Sequence, residues 1–425
     1  MRNRGRSATG IRAVILAMAA LGIGAGAAAQ DAASARRGSA SFWGSAYYQA
    51  VGLGDGASAV SGWGITQEAG LSLNLRSGGL EFLGDLTVPI EPGATPSPEA
   101  AIRQLSMRFH PSEELTLMAG KQRLNWGNAK VFSAIDTLEP RANPLSLRPE
   151  LPGVSGLKAV FIPADWVSLS LVALPDKDVR WSGGAGRIDI LAEDRGLDLG
   201  LGAVKYSLAK PALPSSPATR VDRAAFVNDG SWSTGSLVVY EESQLSWGRT
   251  TSYYFPGMTG YGNVDSDTAL LRADIGAMLK ADIGLTRPAT FILEYLYNGG
   301  GLSSNEARDF SSRYAGWASA GSPAGEDIPD AFLGIGDFRR HYVAGLVKDV
   351  ALSRYILAGA SEIFGIEGRF SRLELSLEWE ATQEDSVKLS YERYWIFDDH
   401  GNEPTELLLL PFRSRVTLAF SASYQ

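Results

Sequence analysis

The sequence predicts an all-β protein, a transmembrane antiparallel β-barrel of eighteen strands, with sixteen as the alternative count. The first observation behind this prediction is a two-residue period. From residue 269 to residue 283 every second side chain is apolar, and the residues between them include Arg272, Asp274, Lys280 and Asp282. Because successive side chains of a strand point to opposite faces, this segment has one oily face and one charged face. The pattern recurs along most of the chain, as expected of a barrel with lipid outside and water inside.

The second observation is an N-terminal export signal. Four arginines within the first twelve residues precede a short apolar run at residues 13–23, and three alanines at 27–29 provide a small-residue cleavage site. The apolar run is too short to cross about 30 Å of hydrocarbon. We therefore expect a cleaved secretory signal peptide at residues 1–29 and a single barrel domain at residues 30–425.

The third observation is the order of strands and connections. Short connections such as residues 77–79, 110–113 and 228–229 alternate with long ones such as 125–153, 246–266, 298–338 and 398–411. Outer-membrane barrels distribute their periplasmic turns and external loops in this way, and both termini then lie on the periplasmic side. The eighteen predicted strands are 41–53, 63–75, 80–90, 99–109, 114–124, 154–162, 166–174, 186–192, 197–209, 220–227, 230–245, 267–285, 289–297, 339–348, 353–364, 369–381, 386–397 and 412–424.

Composition excludes several classes of protein. The chain has no cysteine, so disulfides, cysteine metal sites and a lipid anchor on cysteine are excluded. The formal net charge is -8, and removal of residues 1–29 takes away four arginines and no acids, which leaves -12. An acidic chain is a poor partner for nucleic acid. Nothing in the sequence predicts a cofactor or a metal site.

The alternation also assigns side chains to the two faces of the barrel wall. A charge facing lipid at mid-membrane costs about 2–4 kcal/mol, so charged residues within strands are expected to face the lumen. Aromatic residues near strand ends are expected to form the two interfacial girdles: Trp43, Trp63, Trp166, Trp232, Tyr240, Tyr295, Tyr297, Tyr342 and Trp395. The predicted lumen-facing residues are Glu68, Arg272, Asp274, Lys280, Asp282, Arg372, Glu374, Glu378, Lys388 and Glu392.

The long connection at residues 125–153 is the candidate for a pore constriction. Four prolines between residues 140 and 152 stiffen it and prevent regular strand pairing. A long loop on a wide barrel can fold inward and narrow the pore. The alternative interpretation is a solvated external loop. If the loop folds inward, the residues expected to line the constriction are Arg123, Asp136, Glu139, Arg141, Arg148 and Glu150.

The start of this connection carries the most distinctive motif of the chain. Gly120, Gln122, Trp126 and Gly127 lie at a spacing that resembles a motif of Gram-negative porin-like barrel families of uncharacterised function, in which Gly-Arg-Gln and Trp-Gly recur. The chain has Lys121 in place of the arginine, and Glu139-Pro140 where the families have Asn-Pro. The resemblance covers about residues 118–165. It implies an outer-membrane barrel and supplies no substrate.

Passive diffusion of small solutes is the function that these features favour, with selectivity set by lumen and loop charges. A substrate-selective transporter and a structural or adhesive surface barrel are the alternatives. An enzyme is not expected, because the three histidines, His110, His341 and His400, are scattered. The expected location is the outer membrane.

The expected partners follow from this location. They are outer-membrane lipid, small solutes and the barrel-insertion machinery, but not nucleic acid. The last predicted strand resembles the C-terminal signal of inserted barrels, although its aromatic Tyr424 is penultimate and Gln425 is last. A homo-oligomer is left open.

Overall fold

The structure is a computed structural model, and it describes most of the chain in seventeen pieces. No helix within the described residues is long and apolar enough to cross a membrane. The predicted signal peptide lies outside them. The described residues are 36–52, 62–77, 79–89, 102–124, 126–135, 138, 153–175, 181–210, 219–247, 253–254, 261–262, 269–283, 287–308, 336, 338–380, 386–397 and 414–421.

Eighteen antiparallel strands form one closed sheet, as the alternation predicts. Each strand pairs with the strand before it and the strand after it, and the ring closes where Ala50 of the first strand pairs with Val416 of the last. The strands are β1 (Arg36–Gly52), β2 (Gly62–Ser77), β3 (Leu80–Pro89), β4 (Ile102–Phe109), β5 (Leu115–Gln122), β6 (Val154–Ala164), β7 (Val167–Leu174), β8 (Trp181–Ala192), β9 (Leu197–Lys210), β10 (Thr219–Thr234), β11 (Leu237–Trp247), β12 (Ala269–Ala281), β13 (Ala289–Asn298), β14 (His341–Ala351), β15 (Ile356–Gly365), β16 (Phe370–Glu380), β17 (Ser386–Ile396) and β18 (Ser414–Ser421).

Elements outside the barrel wall are small. A 3-10 turn, Glu193–Arg195, joins β8 to β9, and Tyr253–Tyr254 pairs with Tyr261–Gly262 in the link between β11 and β12. One helical turn covers residues 304–308, in the link between β13 and β14.

The two faces of the wall differ as the two-residue period requires. On β12, Leu271 and Ile275 are exposed on the outer face, whereas Asp274 between them is buried on the inner face. On β16, Leu375 and Leu377 are likewise exposed outside. A protein in water would not expose so many large apolar side chains on one continuous surface, and a lipid environment accounts for it.

One predicted turn is wrong. Asn228-Asp229 was expected to join the tenth and eleventh strands, but both residues lie within β10, and the turn is at Gly235–Ser236. The side chains of Asn228 and Asp229 have hydrogen-bond partners on other strands, Glu241 of β11 and Arg187 of β8, and these contacts outweigh their preference for a turn. Gly235, at φ +56°, adopts the left-handed conformation that the turn needs.

Two of the predicted girdle aromatics are also wrong. Trp166 and Trp232 are exposed outside near strand ends, as expected. Tyr240 and Tyr342, however, face the interior and are almost fully buried. A barrel of eighteen strands is wide enough for an aqueous channel, so buried aromatic rings on its inner face require a covering layer inside the barrel.

Candidate functional site

The covering layer is a stretch of the chain itself. After β5 the chain turns into the barrel, and residues 126–135, here called the inner segment, lie against the inner face of strands β10 to β13. The hydrogen bonds that hold it join residues 101 to 164 positions apart in the sequence. The long connection therefore folds inward over its described part.

Glu294 of β13 is the main attachment point of the inner segment. Its carboxylate accepts the backbone N–H groups of Lys130, Val131 and Phe132 at 2.6, 2.9 and 2.9 Å. It also accepts the hydroxyl of Tyr240 at 2.5 Å. The side chain is fully buried. Three consecutive backbone N–H groups that converge on one carboxylate form strong, charge-assisted hydrogen bonds and satisfy a buried charge without a cation.

Glu242 of β11 provides a second attachment point. Its two carboxylate oxygens accept the backbone N–H groups of Ala129 at 2.5 Å and Ala134 at 3.1 Å. Gly127 also lies against this carboxylate, because a Cβ added at residue 127 would stand 2.2 Å from Oε1 of Glu242. Gly127 also has φ +99°, which only glycine adopts without strain. Its place in the motif therefore has a steric reason.

A third attachment involves Asp229 of β10. Asn128 donates its side-chain amide to Asp229 at 3.0 Å, and Arg187 of β8 forms a two-pronged ion pair with the same carboxylate at 2.6 and 3.0 Å. The guanidinium of Arg187 lies over the ring of Trp126, 5.7 Å from its centroid. The motif tryptophan is thus placed by a cation–π contact on the barrel wall.

Apolar packing holds both ends of the inner segment. The side chains on its flanks, Leu124, Ile135 and Leu138, pack with inner-face residues of β6 to β10. In its middle, Phe132 packs in a second cluster with Leu296 and Tyr342, and the rings of Phe132 and Tyr342 are 6.1 Å apart. Burial of one phenylalanine side chain contributes about 2–3 kcal/mol. The inner segment therefore reaches across the barrel to the β13–β14 wall and returns to the β6–β10 wall.

Gly276 makes room for the buried Tyr240. A Cβ at residue 276 would stand 2.5 Å from the ring of Tyr240. Because Gly276 lies directly between Tyr240 and Glu294 in the register of β11, β12 and β13, its missing side chain lets the tyrosine reach across to the glutamate. The ring of Tyr240 also lies under the ammonium group of Lys130, 5.8 Å from it.

The wall behind the inner segment is acidic. Asp229, Glu242 and Asp274 are direct register neighbours on β10, β11 and β12, and Glu294 follows on β13. All four are almost fully buried. Of these, Asp229 is paired with Arg187, and Arg272 lies two residues from Asp274 on the same strand. Within the described part of the chain, neither carboxylate oxygen of Asp274 has a hydrogen-bond partner.

The next external link folds over the same region. Asn298 donates its side-chain amide to the carbonyl of Gly336 at 3.0 Å. A Cβ at residue 336 would lie 3.6 Å from the ring of Phe132. Arg339 is fully buried and donates to Ser304 at 2.9 Å. The described ends of this link thus cover the inner segment from the external side.

Among the predicted constriction residues, only Arg123 is described. It lies just after β5 and pairs with Asp85 of β3 at 3.3 Å. The other five lie outside the described residues: Asp136, Glu139, Arg141, Arg148 and Glu150.

The predicted lumen-facing residues fall on the inner face wherever their side chains are described. Arg372, for example, bonds to Glu374 and Glu392 across the inner face. Glu68 lies on β2, and its side chain is outside the described part. Asp282 follows the last residue of β12. The remaining members face inward by strand alternation: Arg272, Asp274, Lys280, Glu378 and Lys388.

Sequence reasoning missed the residues that hold the inner segment. Asp229 was assigned to a turn, Tyr240 to a girdle, and Glu242 and Glu294 were not singled out. Glu294 did carry a signal, because it is the single charged residue of β13. A lone acid at an inward position of an otherwise apolar strand indicates a specific partner inside the barrel.

Comparison with known proteins supports the fold. No protein-family model matches this sequence, and no curated protein resembles it in sequence. The resemblance of the Gly120–Gly127 motif to porin-like families is therefore not confirmed.

Several solved structures share the architecture. OccD3 (OpdP) of Pseudomonas aeruginosa has a TM-score of 0.51 at 10% identity, and the match covers 91% of each chain. OccK8 (OprE) of the same organism has a TM-score of 0.51 at 11% identity over 91% of this chain and 98% of its own. OccK10 (OpdN) has a TM-score of 0.50 at 11% identity, over 91% and 99%. The chain therefore shares the fold of these proteins.

Proposed function

We propose that this protein is an outer-membrane channel for the passive diffusion of small solutes, with a pore narrowed by the inner segment. The observation that carries the proposal is the attachment of residues 126–135 to Glu242 and Glu294 inside a barrel of eighteen strands. A barrel of this width without an internal layer would be an open pore, and one filled entirely would not conduct. An internal layer that reaches across the barrel narrows the pore, and the proposal requires that a passage remains beside it.

Charge on the wall supports a preference for cations. The contacts described for the carboxylates of Glu242 and Glu294 are with backbone N–H groups and the Tyr240 hydroxyl, so within the described part of the chain no ion pair offsets their negative charge. Inward-facing Arg272, Lys280 and Arg372 oppose this preference, so we expect it to be mild. Charges in the wall shift the electrostatic potential of the passage and so favour entry of ions of the opposite sign.

A conductance measurement tests both statements. The chain refolded without residues 1–29 is inserted into a planar bilayer with a salt gradient. We expect stable current steps and a reversal potential displaced toward the cation equilibrium potential. A folded barrel that never conducts would contradict the channel and favour a gated transporter or a structural surface protein. A reversal potential of anion sign would contradict the charge argument alone.

The proposal also includes secretion with removal of an N-terminal signal peptide. We expect the protein recovered from the outer membrane to begin at Gln30, after removal of residues 1–29. N-terminal sequencing checks this, and recovery of the uncleaved chain would contradict it.

A further inference from the structure

The outer face of the barrel carries a polar cluster at a position where lipid is expected. Asn228 of β10 and Glu241 and Ser243 of β11 alternate with the buried, inward-facing Asp229 and Glu242. Their outward neighbours include Phe226 and Val239, which are exposed apolar residues.

The cluster lies at mid-depth in the wall. Along these two strands the exposed Trp232 and Trp247 lie on either side of it, one toward each end. Interfacial aromatic residues mark the two edges of the hydrocarbon region. A carboxylate, an amide and a hydroxyl therefore lie between these edges, on the surface that should be most apolar.

The hydrogen bonds within the cluster leave capacity for a partner. Asn228 donates its amide to Glu241 at 2.8 Å, and Ser243 donates its hydroxyl to the amide oxygen of Asn228 at 2.5 Å. Within the described part of the chain, the Glu241 carboxylate has no second side-chain donor. Acyl chains offer neither donors nor acceptors, so lipid cannot complete these bonds.

The neighbouring wall is shaped to receive a bulky group. A shallow hollow of about 400 Å³ lies across β8, β9 and β10, where small residues replace large ones. Gly184, Gly186, Ala203 and Ala224 line it together with Lys205, and Phe226 lies at its edge. Phe226 is 59% exposed, so one continuous face has both a projecting ring and a hollow.

We propose that this face is the interface with a second copy of the chain, in a homodimer with a two-fold axis along the membrane normal. When two copies are inserted in the same orientation and related by this axis, each residue of one copy lies at the same membrane depth as the same residue of the other. The polar cluster of one copy then meets the cluster of the other. The amide of Asn228 in one copy then donates to the carboxylate of Glu241 in the other copy. Hydrogen bonds between polar groups stabilise interfaces of this kind within a membrane.

Cross-linking through single cysteines tests the dimer, because the chain has no cysteine of its own. Leu201 of β9 is exposed and pairs in register with Asn228, so Leu201→Cys places a thiol at the centre of this face. Leu375→Cys places one on the exposed face of β16 as the matched control. After oxidation in isolated outer membranes, we expect an adduct of twice the chain mass for Leu201→Cys and none for Leu375→Cys.

Substitution of Glu241 then tests whether the polar cluster is responsible for the cross-linked dimer. Added to Leu201→Cys, Glu241→Leu is expected to abolish the adduct and Glu241→Gln to retain it. The proposal is overturned if Leu201→Cys stays monomeric, if both cysteine positions cross-link equally, or if the adduct has another mass. Recovery of each variant as a folded barrel in the membrane distinguishes these outcomes from failed insertion. The dimer proposal does not depend on the channel proposal, so a barrel that does not conduct would not contradict the dimer.

Discussion

Replacement of Glu294 by alanine is expected to widen the open channel and to destabilise the barrel. The substitution removes the acceptor of three consecutive backbone N–H groups and of the Tyr240 hydroxyl. An orphaned buried donor costs about 1–3 kcal/mol, so the inner segment gains by leaving the wall for water. We expect the single-channel conductance to rise about twofold as the obstruction leaves the passage. The free energy of unfolding should fall by about 3 kcal/mol.

The matched control for this variant is Glu378→Ala. Glu378 also faces the lumen, on β16, opposite Lys388 in the register, and among the described residues no hydrogen bond or ion pair joins it to the inner segment. The control removes one inward carboxylate without releasing the segment. Equal conductance and equal stability of the two variants would show that Glu294 does not hold the inner segment.

The second large effect is expected from Gly127→Val. Residue 127 has φ +99°, and a Cβ there would stand 2.2 Å from the Glu242 carboxylate. A β-branched side chain adds backbone strain of about 1–3 kcal/mol to this clash, so the attachment to Glu242 should break. We expect a higher single-channel conductance, measured in the same bilayer assay.

Gly345→Val is the control for the glycine variant. An added Cβ at residue 345 meets nothing within 4 Å, and Gly345 lies on β14 away from the inner segment. Its conductance should equal that of the unaltered protein. Because Gly127→Val and Glu294→Ala release the same segment, their effects on conductance should not add in the double variant. Additive effects would mean that the two sites act separately.

The strands could be predicted from the sequence because alternation is a local property. Each strand shows its own two-residue period, so Leu271, Asp274 and Ile275 have assigned faces before any partner strand is known. The turn at Gly235 was missed because Asn228 and Asp229 have turn-forming side chains whose partners, Glu241 and Arg187, lie on other strands. Local propensity was overridden by contacts across the sheet.

The site was only partly predictable for a different reason. An inward fold of the long connection could be proposed from its length, but its attachments use backbone N–H groups, which every residue except proline has. The identity of Lys130 or Val131 therefore does not reveal that Glu294, 164 and 163 residues away, accepts hydrogen bonds from their backbone N–H groups. Charged loop residues were the visible candidates, whereas the described contacts depend on wall carboxylates.

Chemical modification of a cysteine in the inner segment tests the central claim most directly. The Lys130 side chain lies over Tyr240 inside the barrel and is accessible to solvent. In Lys130→Cys, a bulky water-soluble methanethiosulfonate reagent should lower the conductance of a single open channel in discrete steps. Leu375→Cys, on the outer face, should show no change with the same reagent. A Lys130→Cys channel that reacts completely with the reagent and keeps its full conductance would contradict a pore narrowed by residues 126–135.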